Sequence, residues 1–435
     1  MESTHQFIGR IKNTAFILVI AVGFCFTNES YAQQSKHALF LGNSYTYYFD
    51  LPGLTANIAL SAGDTLIAFS SAPGGYTLAN HLNNATSMSY IGAGQWDFFV
   101  LQEQSQMPAF PLAQVEVETF PFATQLNDSI LAHSPCAETV FYMTWGREEG
   151  DQQNCANWPP VCTYEGMDDL LRERYMMMAE MNDAIVSPVG AVRRFVREQH
   201  PEIQLYNADG SHPSAEGAYL AAMCFYTTFF RKSPLNTNYS YTIAASTAEI
   251  IINAVHDMVY LQPNDWYVGA YDPQASGSVE WVAENEFLLV DSSTNASEVL
   301  YAVDGNDYNP LLSDSILLSI TSPGEHTISL IASNCGISDT TSITFDVVSS
   351  IEALSLENQI QIAPNPTKNY ARISIPETCI KPQVSIINAT GKTIVSADRI
   401  SNHMFTIDCS TWPAGMYIVV IQDRNITMHQ TMMVE

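Results

Sequence analysis

Residues 37–46 read His37-Ala38-Leu39-Phe40-Leu41-Gly42-Asn43-Ser44-Tyr45-Thr46. A short apolar run that breaks into a glycine-led polar turn reads as a strand ending at Leu41. If that strand belongs to a parallel sheet, Ser44 stands at its carboxyl end, the edge at which open α/β sheets bind their ligands. A serine at that place also suits a plain turn or helix N-cap, so its meaning depends on what else in the chain answers to it.

Working outward, short apolar runs alternate with longer helical stretches from Lys36 to about Gln262, the pattern of a parallel sheet covered by helices. Five strands are expected, near His37–Leu41, Asp64–Phe69, Asp97–Leu101, Glu138–Met143 and Ile203–Tyr206. Helices fit near Leu54–Ser61, Thr77–Tyr90, Val115–His133, Met167–His200, Ala215–Phe230 and Thr247–Leu261, with Pro188 interrupting the fourth. Beyond Trp266 the helical period disappears. Ser, Thr, Asn and Gly punctuate alternating apolar runs such as Phe287–Val290 and His326–Ala332, so the rest of the chain reads as β modules.

Asp209-Gly210-Ser211-His212 follows the fifth expected strand and precedes a helix, at the same sheet edge as Ser44. A serine hydroxyl needs a base to take its proton, and the base needs a carboxylate to orient it and to stabilise the imidazolium. Ser44, His212 and Asp209 are therefore the candidate catalytic residues. Trp145 and Arg147, after the fourth strand, are expected at the same rim. An aromatic face there suits a sugar ring and an arginine suits a carboxylate, although loop packing explains both residues as well. His81 reads as structural.

On these residues the region from 36 to about 232 resembles the SGNH (GDSL-like) hydrolases, through Leu39-Phe40-Leu41-Gly42-Asn43-Ser44 and Asp209–His212 with Pro213-Ser214. The resemblance implies a three-layer α/β sandwich around a five-stranded parallel sheet, the flavodoxin-like SGNH fold, and a serine esterase with Ser44 as nucleophile, His212 as base and Asp209 as carboxylate. It also implies an oxyanion hole from the Ser44 amide, a glycine amide after the second strand and a side-chain amide after the third. Gly75 and Gln104 are the matching positions, with Gln102 the alternative to Gln104, because Gln102-Glu103-Gln104-Ser105 replaces the family's usual Gly-x-Asn-Asp.

Residues 270–349 resemble a PKD or immunoglobulin-like domain through Pro323–Leu330. The tail resembles a type IX secretion C-terminal sorting domain (type A), through Ala363-Pro364-Asn365-Pro366-Thr367, Val384–Lys392 and Pro413–Val420. That resemblance implies the secretion machinery as a partner. The organisation expected is a signal peptide at 1–32, a hydrolase domain at 33–265, a β sandwich at 266–349, and a second at 350–435 opening on a linker at 350–358. The leader reading rests on Arg10 and Lys12, an apolar stretch from Thr14 to Phe26, and Ser30-Tyr31-Ala32.

Composition sets limits. A formal charge of -28 repels a phosphate backbone, so nucleic acid is not an expected partner. No stretch is apolar for long enough to anchor the processed chain in a bilayer. No Cys/His cluster has metal spacing, and the chemistry requires neither metal nor cofactor. Seven cysteines remain after the leader. Cys155 with Cys162 is the best local pair, and Cys379 with Cys409 a second candidate. The function expected is a secreted ester hydrolase, with acetylated glycans as the preferred substrate and lipase or aryl esterase activity as the alternative within the fold. A non-catalytic surface carbohydrate-binding protein is the alternative from another class.

Overall fold

The computed structural model describes residues 33–347, 360–376, 379, 381–397, 403–423 and 426–435. The expected signal peptide at 1–32 and the expected linker at 350–358 lie outside them. Backbone contacts divide the chain between Val268 and Gly269 into two compact units.

The first unit holds five parallel strands: β1 (Ser35–Leu41), β2 (Thr65–Ser71), β3 (Phe98–Leu101), β4 (Glu138–Tyr142) and β5 (Ile185–Ser187). Their order is β2-β1-β3-β4-β5. Ala38–Leu41, Phe99–Leu101 and Val140–Tyr142 are all fully buried, as expected of strands covered on both faces. The helices are α1 (Ser44–Tyr47), α2 (Leu51–Ser61), α3 (Leu78–Leu82), α4 (Ala85–Ala93), α5 (Leu112–Glu118), α6 (Phe120–His133), α7 (Tyr164–Met181), α8 (Val189–Gln199), α9 (Ala215–Phe230) and α10 (Ala245–Val255).

Helix α9 is buried continuously from Gly217 to Phe230, the mark of a helix enclosed on all sides. Its Phe229 ring stacks on Phe98 at 4.5 Å, and Phe225 meets Phe40 and Tyr142 edge-on. Each such ring contributes about 2–3 kcal/mol by leaving water. Gly217 permits this approach, since a Cβ there would lie 2.3 Å from the Leu205 carbonyl oxygen.

Register brings the site together. Leu41 lies opposite both Ser71 and Leu101, and Leu101 lies opposite Phe141. The turns after these four strands therefore emerge side by side at one edge.

One expectation is corrected. The fifth strand is Ile185–Ser187, inside the helical stretch expected from Met167 to His200 with an interruption at Pro188, and Ile203–Tyr206 is not a strand. That segment makes only an isolated bridge between Tyr206 and Pro213. Helix α7 stops at Met181, Asp183 takes a positive φ of 47°, and the chain enters the sheet for three buried residues before Pro188 precedes α8. Three residues are too few to display a period of two, so flanking helical periodicity masked them.

The second unit is built from antiparallel sheets around two separate cores. Residues 277–347 form sheets of three and four strands closing over Leu289, Ile328 and Leu330. Residues 361–434 form another such pair over Ile373, Val384, Ile386, Val419 and Ile421. Cys155 and Cys162 form a disulfide. Cys379 and Cys409 both lie in the last core, but Cys409 keeps its thiol, with Sγ 3.8 Å from the Thr367 hydroxyl, so this candidate pair is not bonded.

Candidate active site

Asn43 caps α1: its side-chain oxygen accepts from the Tyr45 amide at 3.2 Å, and its carbonyl accepts from the amides of Thr46 and Tyr47. Ser44 is thus the first residue of a helical turn, and its own N–H is one of the donors a helix start leaves without an intrahelical partner.

Asp209 and His212 reach the same edge in the turn before α9. The His212 Nε2 lies 2.8 Å from Ser44 Oγ, and its Nδ1 lies 2.5 Å from Asp209 Oδ2. The other carboxylate oxygen, Oδ1, accepts from the backbone amides of Ser211 and His212, both at 2.9 Å. Partial burial alone would raise the Asp209 pKa, but the hydrogen bond from His212 and those two amides outweigh it and hold the carboxyl below its ordinary range. An ionised Asp209 takes Nδ1–H, which leaves Nε2 as acceptor of the serine hydroxyl. Proton transfer from Ser44 is geometrically open.

Gln102, Glu103 and Asn43 form a buried polar core beneath this edge. The Gln102 side-chain oxygen accepts from the Asn43 amide (2.9 Å) and the Thr46 hydroxyl (3.0 Å). Its Nε2 donates to Asn43 Oδ1 and to the Glu103 carbonyl. Both amide hydrogens of Gln102 are engaged, so it has none for an oxyanion. Gln104 differs: its oxygen accepts from the amides of Gln106 and Met107, and Nε2 donates to Gln106 Oε1 at 3.2 Å, which leaves one hydrogen. Gly75 occupies the third position of a turn closed from the Tyr76 amide to the Pro73 carbonyl, with φ +73°, a conformation a Cβ would strain. Asn43 Nδ2 donates to the Tyr76 carbonyl at 2.9 Å, tying the glycine turn to the serine turn.

Several residues around the site were not singled out from the sequence. Glu103 is fully buried and accepts from the amides of Leu78 and Gln104. Burial pushes its carboxyl up to about 7, against the lowering effect of those amides. Tyr48 stacks on the His212 ring at 4.3 Å. The Tyr45 hydroxyl lies 2.8 Å from Ser211 Oγ. No periodicity or short motif marks these residues; the aromatic run beside Ser44 was the one available signal.

Trp145 is a correction. It is 0% exposed, so it offers no face to a substrate. Its indole is sandwiched between Tyr45, stacked at 4.5 Å, and the Arg193 guanidinium at 3.8 Å. The indole N–H donates to the Ser211 carbonyl at 3.0 Å. Trp145 therefore buttresses the loop that carries His212. Arg147 is partly exposed, and its Nη1 reaches Asp151 at 3.3 Å and Gln153 at 3.4 Å. Its charge is already met by the fully buried Asp151, which also accepts from Gln106 and Asn154. His81 is buried, with Nε2 2.8 Å from the Gly42 carbonyl oxygen and Nδ1 2.9 Å from the Ser87 hydroxyl, and burial lowers its pKa. No group of three or more His, Cys, Asp or Glu residues among the described residues could hold a metal ion.

Residues 361–435 match the family model described as a secretion system C-terminal sorting domain. The tail is a sorting domain. It marks the protein for export through that system, to the cell surface or beyond. No helix among the described residues is long and apolar enough to cross a membrane. No curated protein matches the chain significantly. Among solved structures, the chain is similar to a protein labelled an SGNH hydrolase from Slackia heliotrinireducens, at 27% identity and TM-score 0.37, over 44% of this chain and 97% of that one. It is also similar to a DUF4886 family protein from Bacteroides uniformis, at 16% identity and TM-score 0.44, over 53% and 96%. The PKD1 domain of the Vibrio cholerae metalloprotease PrtV is similar at 18% identity and TM-score 0.16, over 18% and 99%.

Proposed function

We propose that the chain is an exported serine ester hydrolase that works through an acyl-enzyme, and that its substrates are O-acetylated carbohydrates. One observation carries the reading: the continuous contact from Asp209 through His212 to Ser44 Oγ, with Nε2 2.8 Å from the hydroxyl. In the proposed reaction His212 takes the Ser44 proton as Oγ attacks the ester carbonyl. The tetrahedral intermediate collapses, and His212 returns the proton to the departing alcohol. Water, deprotonated by the same imidazole, then releases the acid and restores Ser44.

The oxyanion would be met by the amides of Ser44 and Gly75 and by the remaining Nε2 hydrogen of Gln104. Losing one such donor costs about 3–4 kcal/mol of barrier. The sorting domain supports action outside the cell, where polymeric acetylated substrates are met.

The test is hydrolysis of p-nitrophenyl acetate and of an acetylated xylan by the native protein and by Ser44→Ala. The proposal predicts release of acetate from both substrates, abolished in the variant. Equal rates in the two proteins would sink it, and activity on the aryl ester alone would sink the carbohydrate assignment.

A further inference from the structure

Three aromatic residues follow the nucleophile turn in a row, Tyr47-Tyr48-Phe49, and the chemistry above gives two of them nothing to do. Tyr47 is 50% and Phe49 38% exposed, although rings of this size ordinarily gain from burial. The backbone holds them there. Helix α1 ends after four residues, Tyr48 turns to φ -57°, ψ 133°, and Phe49 (φ 55°) and Asp50 (φ 50°) are both left-handed. Two successive non-glycine residues in that region are disfavoured by contact between Cβ and carbonyl oxygen. The fold retains them by capping: Asp50 accepts from the Gly53 amide at the start of α2. Strain of this kind beside a reactive group is a reason to look for function.

The rings form one array. Tyr48 stacks on His212 at 4.3 Å and 15°, Tyr47 on Tyr48 at 5.4 Å and 27°, and Phe49 meets Tyr48 at 6.4 Å and 62°. The array therefore starts at the imidazole that would protonate the departing alcohol and ends in two solvent-facing rings. On the other side the Tyr47 hydroxyl approaches the glycine turn, 3.8 Å from where a Cβ on Gly74 would stand.

We propose that Tyr47 and Phe49 form the subsite for the alcohol half of the ester, and that the group they take is a neutral pyranose ring. The inference rests on the ester-hydrolase reading and names its leaving group. A pyranose lays a face of C–H groups on an aromatic ring while its hydroxyls stay in water, which suits rings that are half exposed. An alkyl chain gains only where it is enclosed, and an anionic alcohol would meet the repulsion of a chain with formal charge -28.

The experiment uses the full chain and three acetates: methyl 6-O-acetyl-glucopyranoside, phenyl acetate and ethyl acetate. Tyr47→Ala and Phe49→Ala are expected to raise KM for the pyranoside about tenfold more than for ethyl acetate, with Tyr47→Phe restoring most of the difference. Equal changes on all three esters would overturn the subsite, and a larger effect on phenyl acetate would overturn the pyranose. A second measurement needs no turnover. Ser44→Ala protein titrated calorimetrically with the acetylated pyranoside is expected to bind about tenfold more weakly when Tyr47→Ala is added; an unchanged Kd, or no binding before it is added, overturns the proposal. An inactive native protein that still shows this Tyr47-dependent binding would instead strike the hydrolase reading and leave the subsite standing.

Discussion

Among the described residues stand two Ser/His/Asp trios, one in each compact unit, and their hydrogen bonding differs. At the sheet edge, His212 presents Nδ1 to Asp209 and Nε2 to the hydroxyl of Ser44 at 2.8 Å. In the β unit, His326 presents Nδ1 to Asp304 at 2.7 Å, but its Nε2 lies 2.7 Å from the carbonyl oxygen of Ser322. The Ser322 hydroxyl lies farther off, at 3.3 Å; a hydroxyl can donate to nitrogen and a carbonyl cannot, so the shorter carbonyl contact favours a proton on Nε2 of His326. With both nitrogens facing acceptors, the charged imidazolium form of His326 is the one these contacts favour. The hydrogen bond to Asp304 raises its pKa, while the Thr327 amide and His326 lower that of Asp304. A cation with no lone pair is not a base. What separates the proposed catalytic trio from this one is the atom nearest Nε2, not the residue types.

The largest expected effect breaks the first trio outright. Ser44→Ala or His212→Ala should lower kcat on p-nitrophenyl acetate by about 10⁶-fold, with thermal stability little changed; a loss under tenfold would place the reaction elsewhere. Asp209→Asn should cost about 10⁴-fold, because the amide favours the wrong tautomer of His212. Asp304→Asn, the matching change in the other trio, should leave the rate where it was, and steady-state kinetics on both variants puts the comparison at risk directly.

A third change probes what stands behind His212. Trp145→Ala removes the slab between Tyr45 and Arg193, and urea denaturation should find the protein about 3–5 kcal/mol less stable. A cost below ~1 kcal/mol would show that the indole is not the core support its burial implies.

The smallest effect sharpens the comparison through pH. The raised pKa of His326 means that its contribution is complete below the ordinary histidine value and disappears as pH rises through the raised one. The lowered pKa of Asp304 adds stability above the ordinary carboxylate value, lost as pH falls through the lowered one. The pair therefore stabilises most between about pH 4 and 6.5. His326 is largely covered, but the Asp304 carboxylate is exposed, so screening by solvent keeps the effect small. Between pH 6 and 9 the melting temperature should fall by ~2 °C more in the native chain than in His326→Gln. Parallel curves would mean that the pair carries no charge-dependent stability.

Much of this was legible in the chain. Four strands announced themselves as short apolar runs, and Gly42-Asn43-Ser44 with Asp209–His212 named three side chains that the fold brings within hydrogen-bonding distance. The fifth strand was hidden by its length, and Glu103 by its motif, since a carboxylate between two glutamines reads as surface. Trp145 was placed at the rim because it follows a strand whose carboxyl end faces the site.

Local order along the chain determined where four of the five sheet strands lie, which turns carry hydroxyl, imidazole and carboxylate, and which tail directs export. These depend on the backbone's own period and on turn chemistry, which neighbouring residues set among themselves. Tertiary structure alone decided that Gln102 has no hydrogen to offer while Gln104 has one, that Trp145 is roofed by Arg193, and that Nε2 of His326 lies against a carbonyl. Each of those outcomes depends on a partner that arrives from elsewhere in the fold, and the direction of a donor or the burial of a ring is a property of the packed pair.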